Sequence, residues 1–286
     1  MNKRFLLFLL TALLLLVGTA LTACGDDDDD DSGGGGTETT AGAELDLIKD
    51  GTLIVASDIP YPPFEQGDPP DYEGFDIDLI NEIATRLDLE TEIKDLPFDA
   101  LLQGQSSGRY DVAIAATTSS GADGRAREKK VDFSDPYFNA EQSLLVRKDG
   151  DIKSIDDVTS DTIIGAQDAT TGERFAQENT DADVRPFQET DDAYQGLANG
   201  QIDAVMNDLP STDAAVKDNP DLEVVDTFDT KEEYGIIFAE DQDPLREQIN
   251  VVLQEIKDDG TLNELYQKWF QKDAPASLLK ATHEPT

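Results

Sequence analysis

The side chains that most often carry covalent or metal chemistry are nearly missing from this chain. Its 286 residues include one cysteine, Cys24, and one histidine, His283, which lies in the closing segment "ATHEPT". A serine-protease triad or a histidine-ligated zinc site needs a histidine within a folded region, so neither is expected. Cys24 has no second cysteine to pair with. The six successive aspartates at 26–31 lack the spaced ligands and central glycine of a calcium loop. No metal and no cofactor is expected. What remains is charged recognition, in which guanidinium, hydroxyl and carboxylate groups pair with a small polar molecule.

Composition narrows the partner. Sixty-two Asp and Glu against 22 Lys and Arg give a formal charge of −40. Nucleic acid is excluded, because phosphate binding needs clustered cations. The charge speaks to solubility and a salty habitat more than to the fold.

The first residues read as a targeting segment. Lys3 and Arg4 precede "FLLFLLTALLLLVGTA", a charged start followed by a short apolar core, as in a secretory signal peptide. The alternative is a membrane-spanning helix, but the uninterrupted apolar part (5–17) falls short of the ~20 residues a crossing needs. Leu21-Thr22-Ala23-Cys24 resembles the lipobox of bacterial lipoproteins. That resemblance implies that Cys24 becomes the lipidated first residue of the mature chain; the alternative is an inert residue of the signal. Residues 1–23 are therefore expected to be a lipoprotein signal peptide. Residues 24–43, acidic and then rich in Gly, Ser and Thr, are expected to form a disordered tether, since they have almost nothing apolar to bury.

The elements that must hold a site come next. "TLIVASD" (52–58), "YDVAIAATT" (110–118), "SLLVRK" (143–148), "DTIIGAQ" (161–167) and "IDAVMND" (202–208) read as strands. "DIDLINEIATRL" (76–87) places Leu79, Ile80, Ile83, Ala84 and Leu87 on one helical face, with Asp76 as its expected cap. Asp243-Pro244 opens a helix through Leu245, Ile249, Val252, Leu253 and Ile256, which Asp259-Gly260 stops. Thr261 and Glu264 have capping-box spacing for a last helix, with Leu262, Leu265, Tyr266, Trp269 and Phe270 facing inward. Strands interleaved with helices predict an α/β protein with mostly parallel sheets. "SGRYDVAIA" (107–115) and "NGQIDAVMN" (199–207) echo one another: a helix ending at glycine, an aromatic or apolar residue, aspartate, then a strand. The echo predicts two similar lobes, each with a strand ending at a ligand-binding crevice.

Seven segments, in one order from about residue 45 to 272, resemble the polar-amino-acid family of bacterial extracellular solute-binding proteins, the receptors of ABC importers. They are "SDIPYPPFE", "GFDIDLINEIATRL", "FDALLQGQSSGRYDVAIA", "REKKVDFSDPYF", "ATTGE", "NGQIDAVMNDLP" and "DGTLNELYQKWF". The resemblance implies a two-lobed periplasmic-binding-protein type II fold with two crossover strands, closing over one amino acid. The expected boundaries are 44–139 plus 234–275 for the first lobe, 141–228 for the second and 276–286 for a tail, with crossovers near 139–142 and 229–233.

An amino acid brings a carboxylate and an ammonium on one carbon, and burying either unpaired is expensive. Arg127, eight residues before Asp135 of "FSDPY", matches the family's carboxylate-binding arginine, with Arg125 as the alternative. Thr170 and Thr171 are expected at a helix N-terminus whose N–H groups complete that subsite or are simply capped. Asp208 falls where the family's ammonium-binding aspartate lies. Thr118 adds a hydroxyl and Ala116 a carbonyl. Tyr61, Phe98 and Asp58 are expected against the ligand's side chain, where Asp58 suits a cationic or amide group. Two departures from the family bear on the carboxylate subsite: "SSGADG" (119–124) adds about four residues before Arg127, and Ala169 replaces a common glycine.

The expected function is a lipid-anchored, extracytoplasmic, monomeric receptor that passes a polar or basic amino acid to an ABC permease. The alternative is an enzyme on the same scaffold, such as a cyclohexadienyl or arogenate dehydratase. A sensory or cell-wall-lytic module would carry a partner domain, and no segment of this sequence reads as one.

Overall fold

A computed structural model describes residues 45–240 and 242–280, so the expected signal peptide, tether and Cys24 lie outside the described residues. The first half of the chain gives β1 (Thr52–Ser57), α1 (Phe75–Arg86), β2 (Glu90–Asp95), α2 (Phe98–Gln105), β3 (Val112–Ala113), α3 (Gly121–Arg127) and β4 (Val131–Phe133). Then come β5 (Phe138–Arg147), β6 (Ile163–Gln167), α4 (Thr171–Asn179), β7 (Asp183–Phe187), α5 (Thr190–Ala198), β8 (Ala204–Asp208), α6 (Leu209–Asp218) and β9 (Leu222–Tyr234). β10 (Ile237–Ala239), α7 (Asp243–Asp258) and α8 (Thr261–Phe270) complete the order.

Two five-stranded sheets result, in the orders β2-β1-β3-β10-β4 and β7-β6-β8-β5-β9. They are mixed rather than mostly parallel. β1 pairs parallel with β2 and β3, while β10 pairs antiparallel with β3 and β4. In the second sheet β6 pairs parallel with β7 and β8, while β5 runs antiparallel to β8 and β9. The antiparallel strands are those by which the chain crosses between sheets or has just returned. Hydrophobic periodicity reports burial but not strand direction.

The two echo segments fold alike. Asp111 accepts hydrogen bonds from the backbone N–H groups of Ile48 and Ile54, and Asp203 accepts one from Ile163, so each aspartate ties its strand to a neighbouring strand. β3 is shorter than expected because the chain leaves the ladder after Ala113. Ala116 then takes φ 43°, and its N–H donates to Asp76 at 2.8 Å. Asp76 is accordingly not the cap of α1. It is fully buried two residues into the helix, accepts from Tyr137 as well, and leaves Gly74 at the N-cap without a side-chain bond. The capping box expected at Thr261 and Glu264 is also absent. Gly260, at φ 91°, precedes α8, and the Thr261 hydroxyl accepts from Arg86 at 3.0 Å instead.

β5 and β9 carry the crossovers. Their register jumps between Ala140, opposite Glu232, and Gln142, opposite Phe228. Three residues of β9 (229–231) are thus looped out, with Lys231 at φ 57°. A bulge of this kind bends and twists a strand pair, here where the two sheets part. Below the bulge, Phe138 of β5 and Tyr234 of β9 stack with ring centroids 5.4 Å apart. Both lie in a cluster with Phe64, Phe75, Tyr266 and Phe270, where Phe138 is 5.0 Å from Phe64 and 5.2 Å from Tyr266. The roots of both crossovers are therefore buried against α1 and α8.

Candidate functional site

The parallel strands of both sheets end at one crevice, the usual place for a ligand in an open α/β sheet. From the first sheet come Asp58, just past β1, Tyr61 in the following loop, Phe98 at the start of α2, and Ala115, Ala116 and Thr118 beyond β3. Arg127 ends α3. Gln167 ends β6, Thr170 and Thr171 open α4, and Asp208 ends β8. These residues line one narrow cavity of about 310 Å³ including its mouth. All nine residues expected at a ligand are brought to it. Arg125, the alternative to Arg127, is exposed and is not among the lining residues.

The small void reflects direct contact between the two halves. The Tyr61 hydroxyl donates to Asp208 Oδ2 at 2.8 Å and lies 3.0 Å from Asn207 Oδ1. Gln167 Nε2 donates to Asp58 Oδ2 at 2.7 Å and to the Gln188 carbonyl at 3.1 Å, while its own oxygen accepts from Thr190. Arg127 Nη1 donates to the Thr118 carbonyl at 2.8 Å, and Nη2 reaches the Ala169 carbonyl at 3.3 Å. Its guanidinium also sits 5.4 Å from the Phe98 ring centroid. Phe98 thus serves two purposes, packing against Leu101 and Tyr110 below while facing the cation above.

Charge is unevenly distributed in this space. Asp208 is buried and accepts from Tyr61, from Tyr234 at 2.6 Å and from Gln142. Burial, reinforced by the nearby Glu232 carboxylate, pushes its carboxyl up to about 7 despite those bonds. Asp58 is pushed to about 7 as well, first by burial, then by Glu189 and Asp95, with the Gln167 bond working against them. Burial lowers the Arg127 guanidinium, while Asp123, Glu232 and Asp208 oppose that. An ionised carboxylate offers about four lone-pair sites and a guanidinium five N–H groups. The protein's own partners fill three of the former on Asp208 and two of the latter on Arg127. Each retains capacity for one more charged group.

Several residues at or behind this site were not anticipated. Gln167 occupies in β6 the strand-end position that Asp208 holds in β8, and that equivalence could have found it. Gln142 and Glu232 stand on the crossover strands. Gln142 Nε2 reaches Thr171, Asp208 and Glu232, and Glu232 accepts from Thr118 at 2.6 Å. A polar residue alternating along a strand reads as solvent-facing, so neither carries a signal in the sequence. Ala169, a residue with a Cβ in the left-handed region, adopts φ 62°. Thr170 caps α4 by accepting from the Glu173 N–H at 3.2 Å.

Among the described residues no cluster of His, Cys, Asp and Glu has a metal-holding arrangement, and no helix is long and apolar enough to cross a membrane.

The sequence profile of the bacterial extracellular solute-binding proteins, family 3, matches residues 53–272. The chain belongs to that family. Within it, the solute-binding protein is 34% identical over 235 residues to the L-cystine-binding protein TcyJ of Escherichia coli (strain K12), covering 80% of this chain and 86% of that one. Among solved structures it resembles an ancestral arginine-binding protein bound to arginine, with 38% identity and a TM-score of 0.71 over 77% of this chain and 98% of the other. It also resembles the ancestral amino acid-binding protein AncCDT-1, a precursor of cyclohexadienyl dehydratase, with 34% identity and a TM-score of 0.70 over 77% and 95%.

Proposed function

We propose that this solute-binding protein captures one amino acid in the cavity between its two sheets and delivers it to an ABC import permease. The observation that carries the reading is that Arg127 and Asp208, on segments of different sheets, reach one cavity with bonding capacity left for a carboxylate and an ammonium respectively. Only a molecule bearing both groups completes the pair, so a zwitterion favours the closed form over the open one.

In this reading Arg127 and the N–H groups at Thr170 and Thr171 hold the carboxylate. Asp208, the Thr118 hydroxyl and the Ala116 carbonyl hold the ammonium. Tyr61 and Phe98 flank the ligand side chain, and Asp58 meets its end. Arg127 and Asp208 neutralise the zwitterion, which leaves Asp58 without a cation and favours a cationic side chain. The first lobe takes in residues 44–139 and 234–275, and the second 141–228, hinged at the bulge in β5 and β9. The ligand shifts the population toward the closed form by no more than its differential affinity for the two states. A lipid on Cys24 holds the monomeric receptor to the outer face of its membrane through the 24–43 tether.

A second reading rests on the two carboxyls pushed to about 7, Asp58 and Asp208. Acids of that strength in a cleft suit proton transfer, as a dehydratase on this scaffold would require. Binding is preferred, since both acids already match charges that a basic amino acid carries.

A thermal-shift screen of the twenty amino acids with ornithine and citrulline tests the proposal. A ligand present at a hundred times its Kd stabilises the native state by about 2.7 kcal/mol, a visible shift. A screen in which no amino acid raises the melting temperature would sink the receptor reading, and turnover of arogenate or prephenate would establish the enzymatic one.

A further inference from the structure

Residues 119–124, just ahead of Arg127, touch three parts of the molecule at once. At their start, the Ser119 N–H donates to the Glu233 carbonyl at 2.8 Å, and its hydroxyl reaches the same oxygen at 3.0 Å. The Ser120 hydroxyl donates to the Lys231 carbonyl at 3.1 Å and lies 2.9 Å from the Glu233 N–H. These four bonds fasten the segment to β9 beside the crossover bulge. The segment then folds back on itself: a Cβ on Gly124 would stand 2.0 Å from the Ser119 carbonyl oxygen, so only glycine fits there. The same turn begins α3, which sets Asp123 and Arg127 four residues apart on one helical face.

Asp123 does not face solvent. Its carboxylate meets Arg174 of α4 side-on, with Arg174 Nε donating to Oδ1 at 2.6 Å and Nη2 to Oδ2. The Asp123 side chain is 18% exposed and that of Arg174 39%. Arg174 Nη1 holds Glu178 at 2.9 Å, which fixes the fork on its own helix. One turn along α3, Arg127 bonds the Ala169 carbonyl just ahead of α4. One face of α3 therefore grips the opposite half of the molecule at two points. An isolated exposed ion pair contributes little, but a side-on, partly buried pair within a network of charges is the case in which the contribution is measurable.

We propose that residues 119–124 form a clasp across the cleft, in which Asp123 and Arg174 hold α3 against α4, position Arg127 over the α4 N-terminus and slow release of the bound amino acid. The clasp rests on the receptor reading for its effect on ligand, but not for its effect on shape. Asp123 and Arg174 are positioning residues, since neither lines the cavity. Asp123→Ala and Arg174→Ala are each expected to release L-arginine about fivefold faster, which corresponds to about 1 kcal/mol, with the association rate little changed. Both remove the same pair, so the double variant should also release about fivefold faster rather than about 25-fold. Raising salt should accelerate release from the wild type more than from either variant.

Radiolabelled L-arginine displacement measures these rates. Small-angle scattering of the unliganded protein supplies a readout that needs no ligand: Arg174→Asp, which sets like charges face to face, should enlarge the radius of gyration at low salt. Single variants that release L-arginine at the wild-type rate, or a double variant whose effect is the product of the two, would overturn the clasp. If the wild type does not bind L-arginine, the choice of ligand fails and scattering decides; an unchanged radius for Arg174→Asp then overturns the clasp by itself.

Discussion

Replacing Asp208 with asparagine should move binding and stability in opposite directions. The side chain keeps its shape but loses its charge and one acceptor. Three donors converge on the native carboxylate: Tyr61 at 2.8 Å, Tyr234 at 2.6 Å and Gln142. With a ligand ammonium as the fourth partner, the lost attraction is about 4 kcal/mol for unit charges 4 Å apart at an effective dielectric of 20. Truncating one partner of a buried charged pair typically costs 2–5 kcal/mol, so affinity should fall roughly 30- to several-thousandfold. Without ligand the balance reverses. Folding raises the Asp208 carboxyl from its ordinary 3.8 to about 7, so burial resists its ionisation. A carboxyl raised in this way lets native stability fall as pH climbs from about 4 to about 7, a loss of a few kcal/mol that persists above that. Asparagine never ionises. The variant should therefore gain on the wild type as pH rises, although one of the three donors loses its acceptor at every pH. Calorimetric titration with L-arginine, and thermal unfolding without ligand at pH 5 and pH 8, check both halves. A variant that binds like wild type, or whose stability relative to wild type does not improve between pH 5 and pH 8, would refute the reasoning.

The remaining expectations are simpler. Arg127→Ala should weaken L-arginine binding at least as much as Asp208→Asn, and Arg127→Lys somewhat less because a lysine cannot form the fork; Arg125→Ala should be silent in the same titration. Glu65 is fully buried, neither of its side-chain oxygens has a hydrogen-bond partner among the described residues, and burial beside Asp76 and Asp58 raises its carboxyl well above the usual range. Glu65→Gln should therefore gain stability on the wild type by up to about 1.4 kcal/mol per pH unit above pH 4.5, read from unfolding midpoints across pH. Ala169→Gly relieves a left-handed alanine and should stabilise the fold by up to about 1 kcal/mol, with ligand affinity unchanged. Cys24→Ser should move the protein from the membrane fraction to a soluble or precursor fraction, and unchanged fractionation would remove the lipid anchor from the proposal.

Much of the cavity could be read in the sequence because several lining residues lie at or just past a strand end or open a helix. Asp208 ends "IDAVMND", Asp58 ends "TLIVASD", and Thr170 precedes a helix; periodicity and capping mark those positions, while their expected roles toward a ligand came from the resemblance to the family. The echo at Asp111 and Asp203 likewise reported a real device, a carboxylate that ties its strand to the neighbouring one. What could not be read depends on long-range packing. Asp76 looks like a helix cap until Ala116 and Tyr137, 40 and 61 residues away, claim its carboxylate. Gln142 and Glu232 look like the wet face of two strands until the crossover turns that face into the cleft. The Thr261–Glu264 spacing is right for a capping box, but Arg86, 175 residues earlier in the chain, takes the hydroxyl.

The aromatic cluster beneath the crossovers has a consequence for how the molecule comes apart. Phe138 and Tyr234 belong by hydrogen bonding to the second sheet, yet their rings are buried among Phe64, Phe75, Tyr266 and Phe270 on the first. Neither sheet can melt without exposing aromatic surface that the other depends on. The described residues form one compact unit, and heat or denaturant should unfold them in one cooperative transition rather than two. A fragment carrying only residues 141–228 would lose Phe138 and Tyr234, which root β5 and β9, and should fold less stably than the same residues do in the whole chain.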